Sequence, residues 1–128
     1  MLFRSDEEHG YAIGKRSTRK EGTALAEALA ASKALTRLRE LDLRHRNIGD
    51  AGLKALVGAA KALPALRQLD LVDCGLTLPG VKVLAESDLG ARLLYVNFDS
   101  NSNLTEHEAK LKEMFPNAHV EEPFEYVD

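Results

Sequence analysis

The chain has 128 residues with a formal net charge of −3, and it is 45% apolar but only 5% aromatic, so its core must be a thin layer of aliphatic side chains rather than a globule built on large rings. A chain of this length makes one small domain. Interspersed charges with a slight acidic excess exclude the basic face of a nucleic-acid protein; no run reaches the roughly 18 apolar residues of a membrane helix; and Cys74, the single cysteine, excludes an internal disulfide framework and fits a reducing compartment.

Residues 1 to 20 are charged and mixed. The opening MLFRSDEEHGYAIG lacks the apolar core of a secretory signal, and Asp6, Glu7 and Glu8 argue against a mitochondrial presequence. An intracellular, cytoplasmic location is the expectation, with the organelle, mitochondrion included, left open. Counting 28 residues back from Leu41 reaches Ile13, so Tyr11 to Lys15 reads either as a degenerate strand or as part of an arm lying over the end of the fold. Gly10 to Ser17 falls short of a phosphate loop, with one residue too few between its glycines and Arg16 ahead of Ser17. The basic run Lys15 to Lys20 reads as a solvated segment.

Leu25, Ala28, Leu29 and Leu35 recur at helical spacing and predict a helix over 22–35. Leu38, Leu41 and Leu43 then predict a strand, Ile48 an aliphatic under its turn, and Gly49-Asp50-Ala51-Gly52 a break with Asp50 as helix cap. Leu53, Leu56, Ala60 and Leu63 form the inner face of the next helix, which Pro64 ends. A shift of 28 residues repeats the plan: Leu66, Leu69, Leu71 and Leu76, then Pro79-Gly80 and a shorter helix through Val81 and Leu84 that Gly90 stops. A third strand follows at Leu93, Val96 and Phe98, one residue short of the period. Asn103-Leu104-Thr105 fits a glycosylation triplet but reads as a helix start, with Thr105 to Glu108 a capping box ahead of Leu111, Met114 and Phe115. After Pro116, an abortive strand around Ala118 to Val120 runs into an acidic tail.

A fixed period of this size predicts an α/β solenoid, a short parallel sheet with helices packed on one side of it. It divides the chain into an N-terminal arm or degenerate repeat (1–20), repeats (21–104), and a capping helix with acidic tail (105–128).

LRELDLRHRNI followed by GDAGLKAL, and LRQLDLVDCGL followed by LPGVKVL, resemble the leucine-rich repeat family, and the period makes them similar to its ribonuclease-inhibitor-like subfamily. The resemblance covers about residues 22 to 120, some three repeats. It implies that the ninth motif position, Asn, Cys or Thr in the family, is filled by Arg46, Cys74 and Asn101; Arg46 departs, so either Asn47 substitutes for it by a local shift or that turn is irregular. Cys74 is then a buried structural thiol rather than a nucleophile.

The resemblance also implies partner binding on the concave strand face. Its rows are Glu40, Asp42 and Arg44; Gln68, Asp70 and Val72; and Tyr95, Asn97 and Asp99, with His45, Asp73 and Ser100 at the strand exits. Asp42, Asp70 and Asn97 would stack as an acidic ladder that favours a basic protein partner, and Tyr95 is the strongest candidate contact. His9, His45, His107 and His119 are scattered, no nucleophile motif is present, and neither metal nor cofactor is expected. The expected function is a non-catalytic protein-interaction module, a scaffold or accessory subunit of a larger intracellular complex, with a second contact through the bare N-terminal edge of the stack. The alternative is a free-standing regulator, of the inhibitor or GTPase-activating type, that binds on the concave face.

Overall fold

The computed structural model describes residues 2–4 and 17–121, the first of these as backbone only. The strand expected over Tyr11 to Lys15, His9, and the acidic tail beyond residue 121 lie outside the described residues.

A helix, α1, runs Arg19–Ala31. It begins three residues before the expected span because Thr18 and Glu21 form a capping box: Glu21 N donates to Thr18 Oγ1 at 3.1 Å and Thr18 N donates to Glu21 Oε1 at 3.4 Å. It ends four residues early, where Ser32 turns extended and its Oγ accepts from Ala34 N. Leu35 therefore packs on the core from the following loop.

Four short strands form the parallel sheet: β2 (Glu40–Asp42), β3 (Gln68–Asp70), β4 (Tyr95–Asn97) and β5 (His119–Glu121). They pair in the order of the chain at spacings of 28, 27 and 24 residues. The segment expected as an abortive strand is β5, a full member of the sheet. At the other edge β1 (Leu2–Arg4) pairs antiparallel with β2, Phe3 opposite Leu41.

The returns between strands carry α2 (Gly49–Gly58) with a 3-10 turn after it, α3 (Leu78–Ala85) with α4 (Asp88–Arg92), and a 3-10 stretch (Ser102–His107) leading into α5 (Glu108–Met114). Three local expectations are corrected. Asp50 does not cap α2; its carboxylate reaches the next unit, where Thr77 N donates to Oδ1 at 2.9 Å and Thr77 Oγ1 donates to Oδ2. Gly90 does not stop a helix but sits inside α4, whose N-cap Ser87 accepts from Gly90 N. Thr105 to Glu108 forms no capping box, because the chain there winds as a 3-10 helix and α5 starts without a side-chain cap.

Period-2 alternation explains the core. Leu41, Leu69, Val96 and Val120 stand in register on the inward side of the sheet, and Leu43, Leu71 and Phe98 follow two residues on, all fully buried. The helices close over them with Leu53, Leu56, Val81 and Leu84. Each such aliphatic contributes about 1.5–3 kcal/mol when fully buried. Phe98 and Phe115, with ring centroids 5.6 Å apart, close the C-terminal end.

Candidate protein-interaction surface

The expected rows come together. Glu40, Gln68 and Tyr95 lie side by side in register, as do Asp42, Asp70 and Asn97. Arg44, Val72 and Asp99 continue the same face just past the strands, where His45 N donates to Val72 O and Asp73 N to Asp99 O. Neighbouring parallel strands are about 4.8 Å apart, so each row is a continuous strip. The sheet extends both rows by one strand to His119 and Glu121, which sequence reasoning left out. The signal was Val120, whose apolar position between two polar ones repeats the strand pattern in miniature.

The middle row has a structural duty. In each strand its side chain bends forward to accept from the backbone two residues on: Arg44 N donates to Asp42 Oδ1 at 2.9 Å, Val72 N to Asp70 Oδ1 at 3.1 Å and Asp99 N to Asn97 Oδ1 at 2.9 Å. These short loops hold the strand exits, where His45, Asp73 and Ser100 take left-handed backbone with φ of 62°, 49° and 60°. The two carboxylates are also bridged. Arg44 Nη2 lies 2.9 Å from Asp70 Oδ2 and 3.5 Å from Asp42 Oδ2. The acidic ladder is thus buried, with Asp42 and Asp70 only 6% and 8% exposed, and carries its own counter-ion.

The carboxyl of Asp70 is held above its usual range because burial disfavours the ionised form and the charge of Asp42 adds to this, against the opposing pull of the Val72 N–H and Arg44. An acid raised in the folded state favours folding most below its unfolded pKa, and this contribution is lost as pH rises through the folded value. Asp70→Asn keeps the acceptor, as Asn97 does one strand on. It is expected to gain stability relative to the parent between about pH 3 and about pH 7, measured by urea unfolding at both; a difference independent of pH would contradict this account.

Beyond the ladder the surface opens. The rings of Tyr95 and His119 stack at 5.8 Å and 16°, Asn97 Nδ2 donates to Tyr95 Oη at 3.3 Å, and His119 Nε2 lies 3.0 Å from Glu121 Oε1. At the strand exits His45 Nδ1 lies 2.9 Å from Asp73 Oδ2.

Behind this face the turns are tied by the ninth-position residues. Asn101, 2% exposed, accepts from Cys74 N and Leu76 N at 3.1 Å each and donates to Leu71 O and Phe98 O at 2.8 Å. Cys74, fully buried, donates its thiol to Leu43 O at 3.1 Å. Arg46 breaks the pattern, and its neighbour Asn47, buried with φ of 52°, occupies the place of Gly75 (φ 70°) in the next unit. Its Oδ1 accepts from Arg19 Nε on α1 at 2.8 Å. Burial pushes the Cys74 thiol up to about 12, so the thiolate is scarce at neutral pH. Iodoacetamide at about pH 8 is expected to leave the folded chain unmodified and to alkylate it fully in urea, read by mass; rapid labelling of the native chain would contradict the burial.

An open groove of about 400 Å³ on the helix side is lined by Ala60, Lys61, Pro64, Asp88 and Arg92, with the Arg92 guanidinium donating to Pro64 O and Ala60 O. Among the described residues no group of three or more His, Cys, Asp or Glu side chains is placed to hold a metal ion, and no helix is long and apolar enough to cross a membrane.

Parallel strands stacked in chain order, each with its own return on the outer side, define a solenoid whose units are joined by ties from one turn to the next. Residues 34–57 and 63–85 match the family model for the leucine-rich repeat, and they contain β2 with all but the last residue of α2, and β3 with α3. These two segments are leucine-rich repeats, and the fold they belong to is an α/β solenoid of the leucine-rich repeat type. Such repeats generally mediate protein–protein interaction, without catalysis. A comparison with curated proteins finds no match.

Proposed function

We propose that this chain is a non-catalytic binding module, a scaffold or accessory subunit of an intracellular complex, which presents its concave sheet to a protein partner with a basic surface. The observation that carries the reading is the register that sets Glu40, Gln68, Tyr95 and His119 in one strip beside Asp42, Asp70, Asn97 and Glu121. Carboxylates outnumber cations on that face, even after Arg44 is counted against its two aspartates. In this reading residues 1–20 serve as arm, 21–104 as repeats and 105–128 as cap and tail. The units are of the ribonuclease-inhibitor-like kind, supported by the 28-residue spacing and the helix in each of the first two returns. The buried free thiol of Cys74 supports an intracellular site of action.

A charge reversal at Asp70 is a poor test, since that side chain holds the turn. A photo-crosslinking residue at Gln68, exposed on the concave face, is the better probe, against one at Val83 on α3, which is 39% exposed. The reading expects partner adducts from position 68 and none from 83; the reverse pattern would overturn it.

The free-standing regulator gains from one observation: β1 occupies the hydrogen-bonding edge of β2 that the accessory-subunit reading left for another chain. Light scattering on the chain purified from its native source separates the two, a stable hetero-complex supporting the subunit and a monomer the regulator.

A further inference from the structure

The charge on the concave face is unevenly spent. At its N-terminal end the Asp42–Arg44–Asp70 bridge closes on itself, and its carboxylate side chains are 8% and 11% exposed. A partner's cation could use them only by displacing Arg44 from a 2.9 Å contact. Toward the C-terminal end the balance changes. The face positions of β4 and β5 and of the exit after β4 are Tyr95, Asn97, Asp99, His119 and Glu121, with no lysine or arginine among them. The side chains of His119 and Glu121 are 68% and 49% exposed, and their mutual contact, His119 Nε2 to Glu121 Oε1 at 3.0 Å, lies at the surface rather than in a buried bridge. Three further carboxylates, Glu122, Glu125 and Asp128, follow in the sequence without a basic residue.

The phenol of Tyr95 senses this field: burial raises its pKa first, and the negative charges of Glu121 and Asp70 raise it further, while Arg44 pulls the other way. Beside the carboxylates stands the Tyr95–His119 ring stack, with Leu94, 60% exposed, just ahead of it in the chain. A planar guanidinium meets both features at once, stacking on an aromatic ring while donating two parallel bonds to a carboxylate; a lysine ammonium makes only the second kind of contact, and without the fork geometry.

We propose that the partner docks through an arginine side chain seated at the C-terminal end of the concave sheet, against the Tyr95–His119 pair and in charge contact with Glu121. The proposal rests on the concave-face reading and deepens it, by moving the point of recognition from the Asp42–Asp70 ladder to β4 and β5.

The test is an NMR titration of the full chain with the probe acetyl-Arg-Gly-Arg-amide, run beside the same peptide carrying citrulline, which keeps the shape and removes the charge. Expected are side-chain shifts at Tyr95, His119 and Glu121, with affinity weaker for citrulline by about tenfold or more. Glu121→Gln and Tyr95→Leu should each weaken the arginine peptide several-fold, and Glu27→Gln on α1 should not. Glu121 is exposed at the sheet edge, so its variant carries the test even where Tyr95→Leu perturbs the fold. Shifts centred on Arg44 and Asp70 would overturn the proposal and leave the concave-face reading standing. Shifts on α2 and α3, or an equal loss in Glu27→Gln, would overturn both. Absence of binding at about 10 mM peptide, some 2.7 kcal/mol, would overturn the arginine seat alone, since the crosslinking at positions 68 and 83 tests the surface independently of partner chemistry.

Discussion

Asn101→Ala is expected to lower stability by about 3–4 kcal/mol in urea unfolding, more than truncation of any other polar side chain among the described residues. The side chain is 2% exposed and uses both ends of its amide. Its oxygen takes the N–H groups of Cys74 and Leu76 in the turn before it, and its nitrogen serves the carbonyls of Leu71 and Phe98. Alanine leaves four buried backbone groups without these partners, in a slot too closed for water to enter without local opening. Asn101→Asp is the informative companion. It retains the acceptor for the two N–H groups but faces the carbonyl oxygens of Leu71, Phe98 and Asp99 with no donor, so it should recover little of the loss at pH 7 and more near pH 3, where the acid is neutral and can donate. A loss below about 1 kcal/mol for the alanine variant would show that the turns hold together without this tie.

Gly22→Ala should be nearly as damaging for a different reason. α1 lies so close to the first turn that a methyl group at residue 22 would sit 2.0 Å from the carbonyl oxygen of Arg46 and 2.4 Å from that of Asn47. Both obstacles are backbone and cannot swing aside. In an exposed helix the same change would stabilise by up to about 1 kcal/mol; here the helix must retreat, weakening the Arg19–Asn47 contact and the packing of Ala26 and Leu29. A net loss of about 2–3 kcal/mol is expected. Amide hydrogen exchange should report faster exchange in α1 than in α2 and α3. Unchanged protection of α1 would mean that the close approach is not maintained in solution.

The residues that could be read in advance are those whose role is local or periodic. Leu38, Leu41 and Leu43, with their copies 28 residues on, announce strand, face and core together, because alternation and repetition act on the same side chains. The concave rows follow from them, since whatever lies between buried leucines must point the other way. Less legible were the residues whose partners belong to another unit. Asp50 stands where a helix cap should be, and only the neighbouring turn reveals that it serves Thr77. Arg44 had the look of one more surface charge until the sheet placed it between two aspartates from adjacent strands. Asn47 answers to Arg19, 28 residues upstream on a helix whose start was obscured by the basic run that contains its N-cap, Thr18. β5 was undervalued because a three-residue strand offers one apolar position, too few to establish a period by itself.

The antiparallel setting of β1 bears on how such a protein can grow. A parallel stack behaves like a one-dimensional lattice: every strand offers its neighbour the same pattern of donors and acceptors, so an added copy of the unit finds a matching surface. β1 runs against that direction and ends the template on its side. Lengthening by duplication is therefore closed off at that edge, whereas anywhere between β2 and β5 an inserted 28-residue unit would meet parallel strands on both flanks and lengthen the concave strip.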